Sequence, residues 1–196
     1  MATITLNRHE LAVALHIGPV AALHGDDTGR PIYLEVLHRG TVRVCSLSDA
    51  GRSTATIIGT GAWERPTTLC LPRHGLQRLR QHLAADDAVH EVTIAHEGHW
   101  LTLTPTGGPA ATVAVSPSPT PAPERAHTLP EYAPGPPPRD LRMDPAMLED
   151  LRAEPCPRSP LTFYGVPGAP QWIDWRAGLW AHGRIRAAEN ADTTAA

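Results

Sequence analysis

Leu6-Asn7-Arg8-His9-Glu10-Leu11 returns as Leu71-Pro72-Arg73-His74-Gly75-Leu76, an L-x-R-H-x-L phrase repeated 65 positions along a chain of 196 residues. Strand-like stretches follow both copies. His38-Arg39-Gly40-Thr41-Val42 and His96-Glu97-Gly98-His99-Trp100 read as hairpin tips 58 positions apart, and Ser53-Thr54-Ala55-Thr56-Ile57 and Ala111-Thr112-Val113-Ala114-Val115 keep that offset. The shift from 65 to 58 places one length change in the loop after the helix, where loops tolerate it best. Two copies are too few for an open solenoid. Residues 1–115 therefore read as one α+β domain of two pseudo-symmetric strand–helix–three-strand halves.

Within the first half the pattern predicts a strand at 3–6 and a helix from Arg8 to about Leu15, bent or ended by Gly18-Pro19. Strands follow at Ile32–Leu37, Thr41–Leu47 and Ser53–Ile58. The second half repeats the order, with a strand at Thr67–Leu71, a helix at about Arg73–Ala84, and strands at Glu91–Ala95, His99–Thr104 and Ala111–Val115. Nine of the 23 positions from 116 to 138 are proline, so 116–139 is expected to be an extended linker. Beyond it, Asp144-Pro145 has the cap and first-turn proline of a helix start. Leu161–Tyr164, Gln171–Trp175 and Trp180–Ile185 then read as three short strands, making 140–187 a lone half-module. Residues 188–196 are expected to be a disordered tail.

Composition narrows the function classes. Net charge is −3, and all 17 basic residues are arginine, so a nucleic-acid partner would need a local basic face. Cys45, Cys70 and Cys156 are odd in number and widely spaced, which suits a reducing cytoplasm. Cys45 and Cys70 lie in strand-like runs, where a free thiol is usually a small buried apolar group. The longest apolar run, Leu11 to Leu23, is broken by His16 and Gly18-Pro19 and is too short for a bilayer, and no signal peptide is evident.

These phrases resemble the DNA sliding clamp family, most of all the bacterial DNA polymerase III beta subunit. The resemblance is carried by Ile4 to Leu15, Ile32-Tyr33-Leu34-Glu35-Val36, Thr41 to Asp49, and Leu69 to Leu83 with Asp86 to Val92; 144–186 is similar to the last half-domain of such clamps. It implies strands forming the outer wall of a ring and helices lining a hole for DNA. It also implies duplex DNA, a DNA polymerase or other replication proteins, and further copies of the chain as partners. No cofactor or membrane is implied. Bacterial clamps carry three domains per chain, whereas this chain has one and a half. The Met-Pro-x-Arg type of C-terminus that shapes a partner-peptide pocket is replaced here by Arg184-Ile185-Arg186-Ala187-Ala188.

On the second helix, Leu76, Leu79 and Leu83 form a buried stripe at i, i+3 and i+7. Arg73, His74, Arg78, Arg80 and His82 on that helix, with Arg8 on the first, are the candidate DNA contacts, able to hold phosphates without reading sequence. The competing reading is a solvated helix face. Trp172, Trp175 and Trp180 are candidate partner anchors; as large side chains in a small module, they are expected about twice as readily to be its core. His96-Glu97-Gly98-His99 lacks the H-E-x-x-H spacing of a metal pair, and Ser46, Ser48 and Ser53 lack a nucleophile context, so neither a metal nor a catalytic site is expected. The expected role is a non-catalytic sliding-clamp-like DNA-binding or processivity accessory of replication. The alternative is a clamp-fold adaptor or regulator that does not encircle DNA.

Overall fold

A computed structural model describes residues 2–24, 30–37, 40–63, 65–84, 90–118, 122, 143–152 and 160–187. Most of the proline-rich linker, the tail 188–196 and Cys156 lie outside the described residues. The first half runs β1 (Ala2–Asn7), α1 (Arg8–Ile17), α2 (Val20–Leu23), β2 (Ile32–Val36), β3 (Thr41–Ser48), β4 (Gly51–Ile58) and β5 (Thr60–Ala62). The second runs β6 (Thr67–Leu71), α3 (Arg73–Ala84), β7 (Glu91–Glu97), β8 (Trp100–Pro105), β9 (Ala111–Ala114) and β10 (Ser116–Pro117). The half-module adds α4 (Pro145–Arg152), β11 (Leu161–Gly165), β12 (Trp172–Ala177) and β13 (Ala181–Arg186). The α+β class and the strand–helix–three-strand order are those predicted, with boundaries moved by one or two residues.

The halves exchange strands. One sheet has the order β5-β1-β7-β8-β9, and the other begins β10-β6-β2-β3-β4. Each three-stranded meander is thus flanked by the leading and closing strands of the opposite half. β1 covers β7 antiparallel from Ala2↔His96 to Asn7↔Glu91, and β6 covers β2 from Ile32↔Leu71 to Val36↔Thr67. The closing strands β5 and β10 are additions to the expected set. Each is too short to show an alternating pattern, and β10 contains a proline, tolerated because it lies at a sheet edge. The chain passes from β4 in one sheet to β5 in the other at Gly59, where a Cβ would stand 2.5 Å from the Leu6 side chain and the Thr5 carbonyl oxygen. Only glycine fits that crossing.

Periodicity decides what the sheets bury. Ile32, Leu34 and Val36 of β2, Val42 and Val44 of β3, and Val92 and Ile94 of β7 are all buried on the helix side. They join Leu11 and Leu15 of α1 and Leu76, Leu79 and Leu83 of α3 in one core. At about 1.5–3 kcal/mol for each fully buried aliphatic side chain, this face is the main source of stability. Asn7 Oδ1 accepts the Glu10 N–H at 3.1 Å and starts α1. The break at Gly18-Pro19 is repaired from the sheet. Ser46 Oγ and Ser53 Oγ lie 2.8 and 2.7 Å from the Gly18 carbonyl and accept the N–H groups of Ala22 and Ala21. The serines without a nucleophile context are thus satisfying backbone groups that a helix break would otherwise orphan.

β13 pairs antiparallel with β4 from Ala181↔Ala55 to Ile185↔Gly51, so the half-module extends the second sheet to eight strands, ending β4-β13-β12-β11. A Cβ on Gly183 would lie 2.6 Å from the Trp175 indole nitrogen, so the seam closes only because that residue is glycine. On the outer face of this sheet, Glu35 is 2% exposed and is held by Arg43 at 3.1 Å and by the Ala122 N–H at 2.9 Å. Paired backbone therefore runs past residue 115, through Ser116–Pro117 and the Ser118 N–H, which donates to the Thr68 carbonyl at 2.8 Å. Among the described residues, no helix is long and apolar enough to cross a membrane.

Candidate nucleic-acid interface

The helices lie on one side of the sheets, with α1 against α3 and α4 against α1 and α2. The repeated L-x-R-H-x-L phrase acquires a structural meaning there. Arg8 opens α1 and is 8% exposed; its Nη2 donates to the carbonyl of Leu83, in the last turn of α3. Arg73 opens α3, and its Nη2 donates to the carbonyl of Ala22, in α2. Each half thus places a guanidinium on the end of a helix in the other half. The carbonyls there have no intrahelical partner and carry the negative end of the helix dipole.

Arg80 does related work. Its Nε donates to the Leu15 carbonyl at 3.0 Å and its Nη2 to the His16 carbonyl at 3.2 Å, at the end of α1. Burial lowers its pKa, with Asp150 opposing that shift. Of the six predicted DNA contacts, Arg8, Arg73 and Arg80 are therefore engaged with main-chain oxygens between the helices. His82 is half-buried. His74 and Arg78 are exposed on α3, beside exposed Gln77 and Gln81. The neighbouring helices carry exposed His9 and Glu10 on α1 and exposed Glu149 on α4, with exposed Asp144 just ahead of it.

Sequence spacing contained a signal for this arrangement. Arg8 stands at i with Leu11 and Leu15 at i+3 and i+7, so it heads the buried stripe of α1. Arg73 and Arg80 are i and i+7 on the flank of the leucine stripe that meets the neighbouring helices. Among the arginines of α1 and α3, only Arg78, close to opposite that stripe, stands on an exposed face.

The predicted tryptophans are not brought together. Trp175 is 0% exposed and belongs to the core. Its inward position follows from strand alternation with Ile173 and Ala177. Trp172 and Trp180 are half-buried at opposite ends of the β12–β13 hairpin, the latter beside Leu179, which is 89% exposed. His96 stacks on Trp63 with ring centroids 6.3 Å apart. Among the described residues, no group of three His, Cys, Asp or Glu side chains could hold a metal. Burial pushes the Cys45 thiol up to about 12 and raises that of Cys70.

One polar contact missed by the sequence reading ties the half-module to the first domain. His24 Nε2 lies 2.7 Å from Asp150 Oδ2, joining the end of α2 to α4. This hydrogen bond is the main cause that lowers the Asp150 pKa, against a raising effect of burial. A lowered carboxyl contributes stability above its unfolded pKa of about 3.9, and that contribution disappears as pH falls through the folded value. The α2–α4 contact is therefore expected to hold from neutral pH down to about pH 4 and to loosen below it. Tryptophan fluorescence followed on acidification checks this. In Asp150→Asn the acid transition should lose its contribution from this site, and an unchanged acid profile would contradict the assignment.

Comparison with solved structures places this architecture among the DNA sliding clamps. The DNA polymerase III beta subunit of Thermotoga maritima matches with a TM-score of 0.59 at 10% identity, covering 98% of this chain and 66% of that one. The Pseudomonas aeruginosa sliding clamp bound to griselimycin matches with a TM-score of 0.58 at 12% identity, over 97% of this chain and 66% of the clamp. PCNA of A. fulgidus, solved with the C-terminal region of FEN-1 bound, gives 0.50 at 12% identity, over 69% of this chain and 52% of PCNA. The protein has the sliding-clamp fold and spans about two thirds of the length of these bacterial subunits. No protein-family model and no curated protein sequence matches it.

Proposed function

We propose that this chain is a non-catalytic accessory of DNA replication that uses the clamp fold as an adaptor or regulator and does not encircle DNA. One observation carries the choice. Arg8, Arg73 and Arg80, three of the four arginines that would grip phosphates, hold the two halves together through main-chain carbonyls. The residues left exposed on and beside these helices set Arg78, His74 and His9 against Glu10, Asp144 and Glu149. Counterion release scales with the number of phosphates neutralised, so such a face supports only weak duplex binding. The bound FEN-1 segment in the archaeal PCNA structure supports peptide recognition as a use of this fold. Half-buried Trp172 and Trp180 are then the partner anchors available on the half-module.

The DNA-tracking reading is supported by the acid-free exposed strip His74, Gln77, Arg78 and Gln81 of α3. Fluorescence anisotropy with a labelled duplex across salt concentrations separates the two. The adaptor reading expects a log–log slope no steeper than about −1 to −2, abolished by Arg78→Ala. It also expects replication proteins of its own cell to co-purify with the tagged chain. Micromolar affinity with a slope steeper than about −4 would overturn it in favour of DNA tracking.

A further inference from the structure

We infer that the outer face of β4, β13 and β12 is a docking surface for an extended acidic segment of a partner protein. Strand alternation sets that face. Ala55 and Ile57 of β4, Ala181 and Ile185 of β13, and Ile173 and Trp175 of β12 belong to the core, so the residues between them point outward. The seam then sets Arg52 opposite Arg184, while β12 sets Asp174 opposite Arg184 and Trp172 opposite Arg186. Arg176 lies opposite His182 in the next row. Among the described residues, the outward face of these three strands carries four arginines against one aspartate, in a chain whose net charge is −3. Arg186 is exposed, and Arg52, Arg176 and Arg184 are half-buried.

The one aspartate is already engaged. Asp174 is 8% exposed, and Arg184 Nε and Nη2 donate to its two oxygens at 2.6 and 2.9 Å. That pair displays on this face the two-nitrogen fork that carboxylates fit. Arg52 stands beside it with a like charge directly opposite, an unfavourable arrangement in a sheet. Burial lowers the Arg52 pKa and Arg184 lowers it further, against a raising effect of Asp174. An added carboxylate relieves this crowding. Arg52 and Arg186 are diagonal neighbours across the seam, about 7–8 Å apart, close to the roughly 6.5–7 Å between alternate residues of an extended chain. Acidic side chains at every second position of the partner therefore meet both. The same face already receives peptide next to this patch. Ala122 is 3% exposed against Cys45, Tyr33 and Leu47, its N–H donates to Glu35 at 2.9 Å, and Leu47 is the register partner of Arg52. Single-stranded nucleic acid would need open ring faces for its bases, and Trp172 and Tyr164 are half-buried. The inference supplies the partner chemistry of the adaptor reading and rests on that reading.

Fluorescence anisotropy of the full chain with a labelled peptide of alternating Glu and Ser should show saturable binding at low salt that weakens as salt is added. Arg52→Gln combined with Arg186→Gln should weaken it at least about tenfold. Arg186→Gln alone, at an exposed position, should weaken it at least about threefold with far-ultraviolet circular dichroism unchanged, and it carries the test if the double variant fails to fold. Arg65→Gln, at an exposed arginine between β5 and β6, should leave the affinity unchanged. Absence of binding at low salt, undiminished binding in Arg186→Gln, or an equal loss in Arg65→Gln would each overturn the inference. Tighter binding of labelled oligothymidylate than of the peptide would overturn it in favour of single-stranded nucleic acid. Failure of the peptide to bind while replication proteins still co-purify would remove this surface and leave the adaptor reading standing, whereas a steep duplex salt slope would remove the reading itself.

Discussion

Trp175→Ala is expected to cost about 3–5 kcal/mol of stability, the range for emptying a buried aromatic site. The indole is wholly buried, is one of the largest side chains in the core, and lies against Gly183 on the neighbouring strand. Removing it leaves a cavity at the seam where β12 and β13 carry the sheet beyond β4. Because β13 is paired with β4 along five positions, the loss should spread into the first domain as a single shifted transition. Urea unfolding followed by circular dichroism measures this. A separate early transition for the half-module, with the main one unmoved, would show that the seam does not couple them.

Arg8→Ala should be nearly as damaging, at about 2–3 kcal/mol, since a charge-assisted hydrogen bond is lost and a buried carbonyl at the end of α3 is left bare. Arg73→Ala should cost less, about 1–2 kcal/mol, because that side chain is only half-buried. The pair distinguishes structural from DNA-binding roles. If these arginines hold the halves together, both variants shift the unfolding midpoint and leave any salt dependence of duplex binding unchanged. If they contact phosphate, the midpoint stays and the slope flattens by about one per residue.

Local chemistry made the elements readable. The leucine spacing of α3, the Asp144-Pro145 start of α4 and the alternation in β3 and β8 all depend on near neighbours in sequence. Pairing does not. Nothing local in Ala2–Asn7 states that its partner is Glu91–Glu97, and two-residue β10 has no period to detect. The roles of the helix arginines are non-local for a related reason. Charge alone marks a helix arginine as a phosphate contact, but Arg8 and Arg80 are bound at places where a second helix ends. Arg78 lies on an exposed face because the opposite face of its own helix is leucine. The core expectation for Trp175 is met through strand alternation and through Gly183, eight residues away on the neighbouring strand.

The strand exchange between the halves also sets an order in time. As the chain leaves the ribosome, β1 emerges well before its sheet partner β7, which is not complete until residue 97 has been added. The meander β2-β3-β4 can form early, but its flanking strand β6 arrives only at residues 67–71. Neither half can therefore finish before the other exists, and contacts this distant in sequence make for slow closure. Until then the apolar residues of β1 stay open to other chains, so this early strand is the one most in need of protection during synthesis.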